Sequence, residues 1–309
     1  MMISIVIPLY NKEKQVSGTL ESVFRQTFQD FEIVIVDDGS TDNSVEVVSN
    51  FKDKRISITS QSNQGVSVAR NTGIENAKYD YIAFLDADDE WYPEYLQEQV
   101  NLIQNYPDCC VFACAYQLRS HTGNLKPVKL NKMPFSSQTG ILTNYFEVAS
   151  CSHPPLWTSA IVVEKKAILS VGGFPVGIKA GEDLLTWARL AIKYQIAFNR
   201  NNLAIFDVPE NLKSREPRID IHQDVVFVEL LKLYHDKTEK KDIKKYIARW
   251  NEMRVVVFIQ NGNRLKAFIP LFRVIKYGGN CIKILYLLML IVSPVGFQNN
   301  IEKIKEKWF

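Results

Sequence analysis

Two hydrophobic periodicities alternate along the first hundred residues. Ile3 to Pro8 is a short apolar run of the kind a buried strand carries, and Val16, Leu20, Val23 and Phe24 then recur at helical spacing. Phe31 to Val36 is a second strand pattern that ends in Asp37-Asp38-Gly39-Ser40-Thr41-Asp42. Gly39 marks a turn, and Thr41 or Asp42 can cap the helix running through Val45 and Val48. Ile56 to Thr59 predicts a short third strand. Asn63-Gln64-Gly65 opens a helix with Val66, Ala69 and Arg70, interrupted at Gly73. Tyr81 to Leu85 is a fourth strand, stopping at Asp86-Ala87-Asp88-Asp89, and Pro93 starts a helix with Leu96, Val100 and Ile103.

Strands alternating with helices predict βαβ units, an α/β class and a largely parallel sheet. Ligands of such sheets bind beyond the carboxyl ends of the strands, near a switch in strand order. Pro8-Leu9-Tyr10-Asn11, Asp37-Asp38-Gly39-Ser40 and Asp86-Ala87-Asp88-Asp89 all fall at that edge, so separate segments are expected to meet in one crevice. From Val111 to Val163 the pattern loosens. Cys110 to Leu118 and Thr158 to Val163 predict strands, with turn signals at Gly123, Pro134, Gly140 and Pro154-Pro155 between them. Glu164 to Val171 predicts a short helix. Gly181-Glu182-Asp183 opens another, and strands are expected near Ile196 to Phe198 and Ala204 to Val208. From about Ile221 only helical patterns follow: Val225 to Tyr234, Ile243 to Ile259, Leu265 to Ile275 and Ile282 to Val292. The expected organisation is a domain over 1–220, with nucleotide binding in about 1–110 and acceptor binding in about 111–220, and a helical extension over 221–309.

A hydrophobic share of 46% over 309 residues is ample for a buried core. The net charge of +3 gives no electrostatic reason to expect nucleic acid. The five cysteines form no CxxC pair and histidines number four, which argues against a zinc site and a disulfide framework, and for a reducing, cytoplasmic setting. The apolar start runs directly into Asn11-Lys12-Glu13-Lys14 and predicts a core strand rather than a signal peptide. Ile284 to Val292 is strongly apolar, but Lys283 and Pro294 bracket it well short of the ~20 residues a spanning helix needs.

The sharpest chemical signal is the abrupt end of the fourth strand in three carboxylates. Crowded carboxylates repel, and a hard divalent cation shared with a substrate phosphate compensates them well; an Asp-rich solvated turn is the plainer alternative. The first strand–helix turn lacks GxGxxG, which disfavours a nicotinamide or flavin dinucleotide.

Five ordered motifs resemble glycosyltransferase family 2. They are Ile7-Pro8-Leu9-Tyr10-Asn11, Val36-Asp37-Asp38-Gly39-Ser40-Thr41-Asp42, Gly65 through Ala69-Arg70-Asn71 to Gly73, Phe84-Leu85-Asp86-Ala87-Asp88-Asp89, and Gly181-Glu182-Asp183. The resemblance spans roughly Ile3 to Asp207. It implies the GT-A (Rossmann-like) fold, with a mixed, mostly parallel sheet flanked by helices. It also implies a nucleotide-diphospho-sugar donor, with UDP the expected nucleotide, and one inverting displacement onto a hydroxyl of a cell-surface glycan or lipid-linked saccharide. By the same resemblance Pro8 and Tyr10 wall the base pocket, Asp37 or Asp38 accepts from the base, and Arg70 lies near the base or the pocket carboxylates. Asp86 then meets ribose or metal-bound water, Asp88 ligates Mg2+ or Mn2+, Asp183 is the general base and Glu182 orients the acceptor. Acids in a first helical turn also simply favour the dipole. Asp89 is expected to cap the helix near Pro93 or to order its loop. Trp157 and Trp187 offer a sugar-stacking face or fill the core.

The basic segment from Lys213 to His222 is a candidate flap, and His222 a candidate metal ligand as in some relatives. The processive QxxRW motif is reduced to Arg249-Trp250 in a helical pattern, so one sugar per encounter is expected. Arg264, Lys266, Arg273, Lys276 and Lys283 punctuate apolar residues, with Lys303, Lys305 and Lys307 beyond. Such helices fit the inner leaflet of an anionic membrane, or packing on protein, including a homo-oligomer. The competing functions are a nucleotide-sugar-binding protein without turnover, a membrane-associated scaffold, and a nucleotidyltransferase. The last would favour a Gly-rich basic first loop, which Leu9-Tyr10-Asn11-Lys12 is not.

Overall fold

A computed structural model describes residues 1–208, 224–236 and 243–293. The Lys213–His222 segment and Lys303 to Lys307 lie outside the described residues. The chain divides into two compact units, Met1–Ser214 and Arg215–Phe309.

The first unit follows the alternation of the sequence: β1 (Ile3–Leu9), α1 (Val16–Phe24), β2 (Phe31–Asp37), α2 (Ser44–Ser49), β3 (Ile56–Ser60), α3 (Val66–Asn76) and β4 (Tyr81–Phe84). Then come β5 (Glu90–Trp91), α4 (Tyr95–Asn105), β6 (Val111–Arg119), β7 (Leu125–Pro127), β8 (Thr139–Ile141), α5 (Tyr145–Cys151), β9 (Ile161–Glu164), α6 (Lys165–Ser170), α7 (Glu182–Lys193) and β10 (Ile196–Asp207). One mixed sheet results, in the order β3-β2-β1-β4-β9-β6-β10-β5, with β7 on β6 and β8 on β10. β1 pairs in parallel with β2 on one side and β4 on the other, so the strand order reverses there. The crevice beyond the carboxyl ends of β1, β2 and β4 is therefore the switch point at which such sheets bind ligands.

β1 and β2 are buried along almost their whole length, as near-continuous apolar runs require when helices cover both sheet faces. Ile3, Ile5, Ile7 and Leu9 pack with Val16, Leu20 and Val23 of α1 in the main core. α3 lies so close to β1 that a Cβ at Gly73 would sit 2.3 Å from Val6 Cγ1, which explains the glycine inside that helix.

Four details differ from the expectation. The two strands expected after α7 are one strand, β10, with register irregularities around Asn199 and Asn202 where the apolar pattern breaks. The first residues of the expected Thr158–Val163 strand form a 3-10 turn (Thr158–Ala160) before β9. The short β5, β7 and β8 and the helix α5 lie in stretches too brief to show a period. The helix after Pro93 starts at Tyr95.

The second unit contains α8 (Val225–Asp236), α9 (Ile243–Gln260), α10 (Phe268–Lys276) and α11 (Cys281–Val292), with a 3-10 turn at Arg264–Ala267. Val255, Phe258, Leu271, Leu287 and Ile291 lie in its core. Trp250 donates to Asp224 (3.0 Å) and Arg249 pairs with Glu252 (3.0 Å), so these two residues serve the helical packing of their own unit. Among the described residues no helix is long and apolar enough to cross a membrane.

Candidate active site

The loops leaving β1 and β2 are tied together before any functional group is placed. Asn11 adopts a left-handed backbone (φ 51°), a conformation that Asn tolerates. Its N–H donates to Ser40 Oγ (3.1 Å), and its Oδ1 accepts from the Thr41 N–H (2.8 Å). The Lys12 N–H donates to Ser44 Oγ (2.6 Å), and Glu13 Oε2 accepts from the Asn43 N–H (3.0 Å). Tyr10 stands at the edge, 45% exposed, beside the half-buried Pro8.

Asp37 and Asp38 are both buried and differ in commitment. Asp37 Oδ1 accepts from the Ser40 N–H (3.0 Å). Asp38 Oδ1 accepts from Gln61 Nε2 (2.8 Å) and the Gln64 N–H (2.9 Å), and Oδ2 from the Gly65 N–H (2.8 Å). Both oxygens of Asp38 thus hold the loop that starts α3. Gly39, at φ 74°, is needed there because a Cβ would lie 2.9 Å from the Asn63 nitrogen.

Arg70 joins two motifs that are distant in sequence. Its guanidinium donates from Nη2 to Asp86 Oδ1 (2.7 Å) and from Nη1 to Glu182 Oε1 (3.2 Å), with its side chain only 5% exposed. Burial alone would favour loss of its proton. The charges of Asp86, Glu182 and Asp183 outweigh that and hold it firmly protonated. The guanidinium also lies over the Phe174 ring, 5.1 Å from the centroid. Asn71 fixes that ring's backbone, donating from Nδ2 to the Phe174 carbonyl (2.8 Å) and accepting at Oδ1 from the Phe174 N–H (2.8 Å). Arg70 therefore sits beside the carboxylates of the fourth and fifth motifs.

Asp86 and Asp88 are partly exposed at 26% and 23%. The Asp86 N–H donates to Ser159 Oγ (3.0 Å), and the Lys12 ammonium pairs with Asp88. Asp89 is buried, accepting from Ser159 Oγ and from the Asp207 N–H (3.2 Å). Burial, reinforced by the charges of Asp86 and Asp88, pushes its carboxyl well above the usual range. Asp89 thus orders the loop and does not cap α4, in whose first turn the Leu96 N–H donates instead to Gln26 Oε1 (2.9 Å).

Glu182 and Asp183 occupy the first turn of α7, which enters through Gly181 at φ 84°. Burial and the neighbouring Asp183 push Glu182 up to about 7, with Arg70 opposing. Burial likewise raises Asp183 against Arg70 and the Leu184 N–H. Both acids therefore hold a proton more tightly than free carboxyls do, the direction of tuning that suits a general base.

Arg70, Asp86, Glu182 and Asp183 are brought together; Asp88, on the loop after β4, pairs with Lys12 of the loop after β1, and Pro8, Tyr10 and Asp37 lie at the β1 and β2 ends. His222 lies outside the described residues. Trp187 is core, buried against Phe84 and Phe174. Trp157 is half-buried and stacks on Tyr116 with centroids 5.4 Å apart. Lys12, Asn71, Ser159 and Phe174 also belong to this constellation, although the sequence pattern assigns none of them a role. Only Asn71 carried a signal, its place beside Arg70 in the third motif.

The donor set suits a hard divalent cation. Asp88 and Asp86 are oxygen ligands, and one or two carboxylates suffice where phosphates complete the shell. A positive group already stands at Asp88, in the form of the Lys12 ammonium. No group of three or more His, Cys, Asp or Glu that could hold a metal by itself occurs among the described residues.

Comparison with known proteins agrees with this architecture. The model of Glycosyl transferase family 2 matches residues 4–158. An uncharacterized glycosyltransferase of Rickettsia felis is 35% identical over 196 residues, 63% of this chain and 31% of that protein. An uncharacterized glycosyltransferase of Haemophilus influenzae is 42% identical over 109 residues, 34% of this chain and 44% of its own length. The chain thus spans less than half the length of these curated relatives. The crystal structure of S. aureus TarS 1-349 in complex with UDP-GlcNAc superposes with a TM-score of 0.68 at 17% identity, over 99% of this chain and 92% of that one. At that identity the likeness carries the fold alone, and the fold is GT-A. The family match covers half of the chain and contains four of the five motifs, and the chain belongs to glycosyl transferase family 2.

Proposed function

We propose that this protein transfers a sugar from a nucleotide-diphospho-sugar to a hydroxyl of a glycan or lipid-linked saccharide, by one inverting displacement. The observation that carries this reading is the bridge from Arg70 to both Asp86 and Glu182, which draws three separate motifs to one crevice.

In this reading the base lies between Pro8 and the exposed Tyr10 ring. Asp37 is the base acceptor in preference to Asp38, because both Asp38 oxygens already hold the α3 loop. Asp86 faces the ribose and Asp88 the pyrophosphate. Mg2+ or Mn2+ held there by Asp88 would stabilise the charge on the departing diphosphate as a Lewis acid. Asp183 takes the proton from the acceptor hydroxyl as its oxygen bonds to the anomeric carbon and the bond to the diphosphate oxygen breaks. Its raised proton affinity suits that step, and general base assistance typically supplies about 10² to 10⁴-fold. Glu182 orients the acceptor, and Arg70 keeps Asp86 and Glu182 in place. Uridine is the proposed base, in line with the UDP-GlcNAc held by TarS. Transfer of one sugar per encounter is the expected mode.

The test is a panel of nucleotide-sugars with Mn2+, scored first by thermal shift and then by transfer. A donor that binds the native state raises the midpoint by mass action. Stabilisation by at least one donor, followed by release of its nucleoside diphosphate, supports the reading. No stabilisation by any donor with either cation contradicts it.

A further inference from the structure

The strongest feature outside the crevice lies on α10 and α11. Each helix buries one stripe in the core of its unit, through Leu271 and Val274 on α10 and Tyr286, Leu287, Leu290 and Ile291 on α11. Each also turns a second apolar stripe outward. On α10 this is Ile269 (56% exposed), Phe272 (69%) and Ile275, with Leu265 (84%) on the turn before it. On α11 it is Ile282, Leu285, Met289 and Val292, all more than half exposed and three or four residues apart. That spacing places them on one side of the helix. Single exposed apolar residues are ordinary, but an outward apolar stripe on each of two successive helices that pack on one another points to an interaction surface.

Charge decides what covers it. Between Asn261 and Ser293 there is no Asp or Glu, against Arg264, Lys266, Arg273, Lys276 and Lys283. Arg273 is paired with Asp224 and Lys283 with Glu252, while Lys266 and Lys276 are exposed. Lys276 falls four residues after Phe272, on the outward face. The asymmetry extends to the whole unit: residues 215–309 hold 18 Lys and Arg against 10 Asp and Glu, whereas 1–214 hold 19 against 24. A second copy of this surface would bring like charge against like charge. An anionic lipid leaflet complements it, since apolar side chains enter the acyl boundary while lysines reach phosphate headgroups.

We propose that the outward stripes of α10 and α11 form a monotopic docking surface for an anionic bilayer, with Leu265, Ile269, Phe272, Leu285 and Met289 as the inserting residues and Lys266 and Lys276 as headgroup contacts. This goes beyond the catalytic reading and stands or falls independently of it.

The test is co-sedimentation of the full chain with phosphatidylcholine vesicles, with and without about one-third phosphatidylglycerol. The wild type is expected to bind the anionic vesicles about tenfold or more tightly than the neutral ones, with binding weakened by salt. Ile269→Ser/Phe272→Ser is expected to lower anionic-vesicle binding by about tenfold or more while its thermal midpoint stays near wild type. Lys266→Gln/Lys276→Gln is expected to lose most of the preference for anionic lipid. Equal binding to both vesicle types, no binding to either, or undiminished binding by the apolar double variant overturns the proposal. So does a lipid-free dimer that Phe272→Ser dissociates, which would assign the surface to a second copy.

Discussion

The two units use the same residue classes in opposite ways. In residues 1–214 apolar side chains of β1, β2 and β4 are driven inward, and ionisable groups gather at one sheet edge, where each buried charge has a partner. In the helical unit α10 and α11 keep apolar residues on the outside, and cations predominate without a matching number of acids. A buried charge demands compensation because a low-dielectric interior leaves it unsolvated. An exposed apolar residue costs little in the isolated chain and becomes useful only when something covers it. The first unit is therefore built around internal complementarity, whereas the second leaves an apolar, cationic face that the proposed bilayer would complement.

This contrast can be broken at several points. The largest expected effect is at Asp183. Asp183→Asn should lower kcat by about 10² to 10⁴-fold while donor affinity stays near wild type, measured by transfer kinetics and calorimetry. A parallel loss of donor binding would show that Asp183 holds the site together rather than acting as base.

Next comes Arg70. Arg70→Ala leaves the partly exposed Asp86 and the more buried Glu182 without their shared cation, and breaking a buried pair costs at most about 3–5 kcal/mol. The control is Arg249→Ala in the helical unit, where a 29%-exposed, one-turn pair is lost. That change should cost under about 1 kcal/mol. Similar shifts in denaturation midpoint for the two would erase the distinction between the units.

Close packing of α3 on β1 gives a smaller effect. Gly73→Ala puts a methyl 2.3 Å from Val6 Cγ1, and overpacking of this kind costs about 1–3 kcal/mol. Pairing it with Val6→Ala should recover part of the loss if the clash is the cause.

The pH dependence sharpens the electrostatic side. The folded protein holds the Glu182 proton more tightly than the unfolded chain, with a value near 7 against an ordinary 4.5. This group's contribution to stability therefore declines as pH climbs from 4.5 through about 7. Transfer should run the other way and rise as the Glu182–Asp183 pair ionises. Glu182→Gln removes a like charge beside Asp183 and should move the midpoint of the kcat/KM profile downward.

The smallest effect belongs to the outer face. Phe272→Ser, at a position 69% exposed, should change stability by no more than about 0.5 kcal/mol, whereas Phe84→Ser in the core should be severely destabilising.

Much of the framework was legible because it rests on local pattern. The apolar runs of β1, β2 and β4, the acid cluster after β4 and the glycine at position 39 are each readable within a few residues. What escaped depends on partners far away in sequence. Asn71 and Phe174 are 103 residues apart, and Asp86 and Ser159 are 73 apart, so nothing in either segment announces the contact. Asp37 and Asp38 look equivalent as a pair; only the folded loop shows that Asp38 is already committed. The break in β10 at Asn199 and Asn202 read as a strand end because a bulge interrupts the two-residue period just as a turn does. The C-terminal helices were left open for a different reason. Their basic, apolar pattern fits a membrane surface or packing on protein alike, and sequence alone does not tell which side finds a neighbour.

The central claim is that the carboxylates gathered around Arg70 and Lys12 receive a cation-bound diphosphate. Calorimetry of a nucleoside diphosphate with Mn2+ tests it directly, on wild type, Asp88→Ala and Asp183→Asn. Asp88→Ala is expected to lose the Mn2+-dependent part of the affinity while Asp183→Asn binds as wild type does. Equal Mn2+-dependent binding by wild type and Asp88→Ala would contradict it.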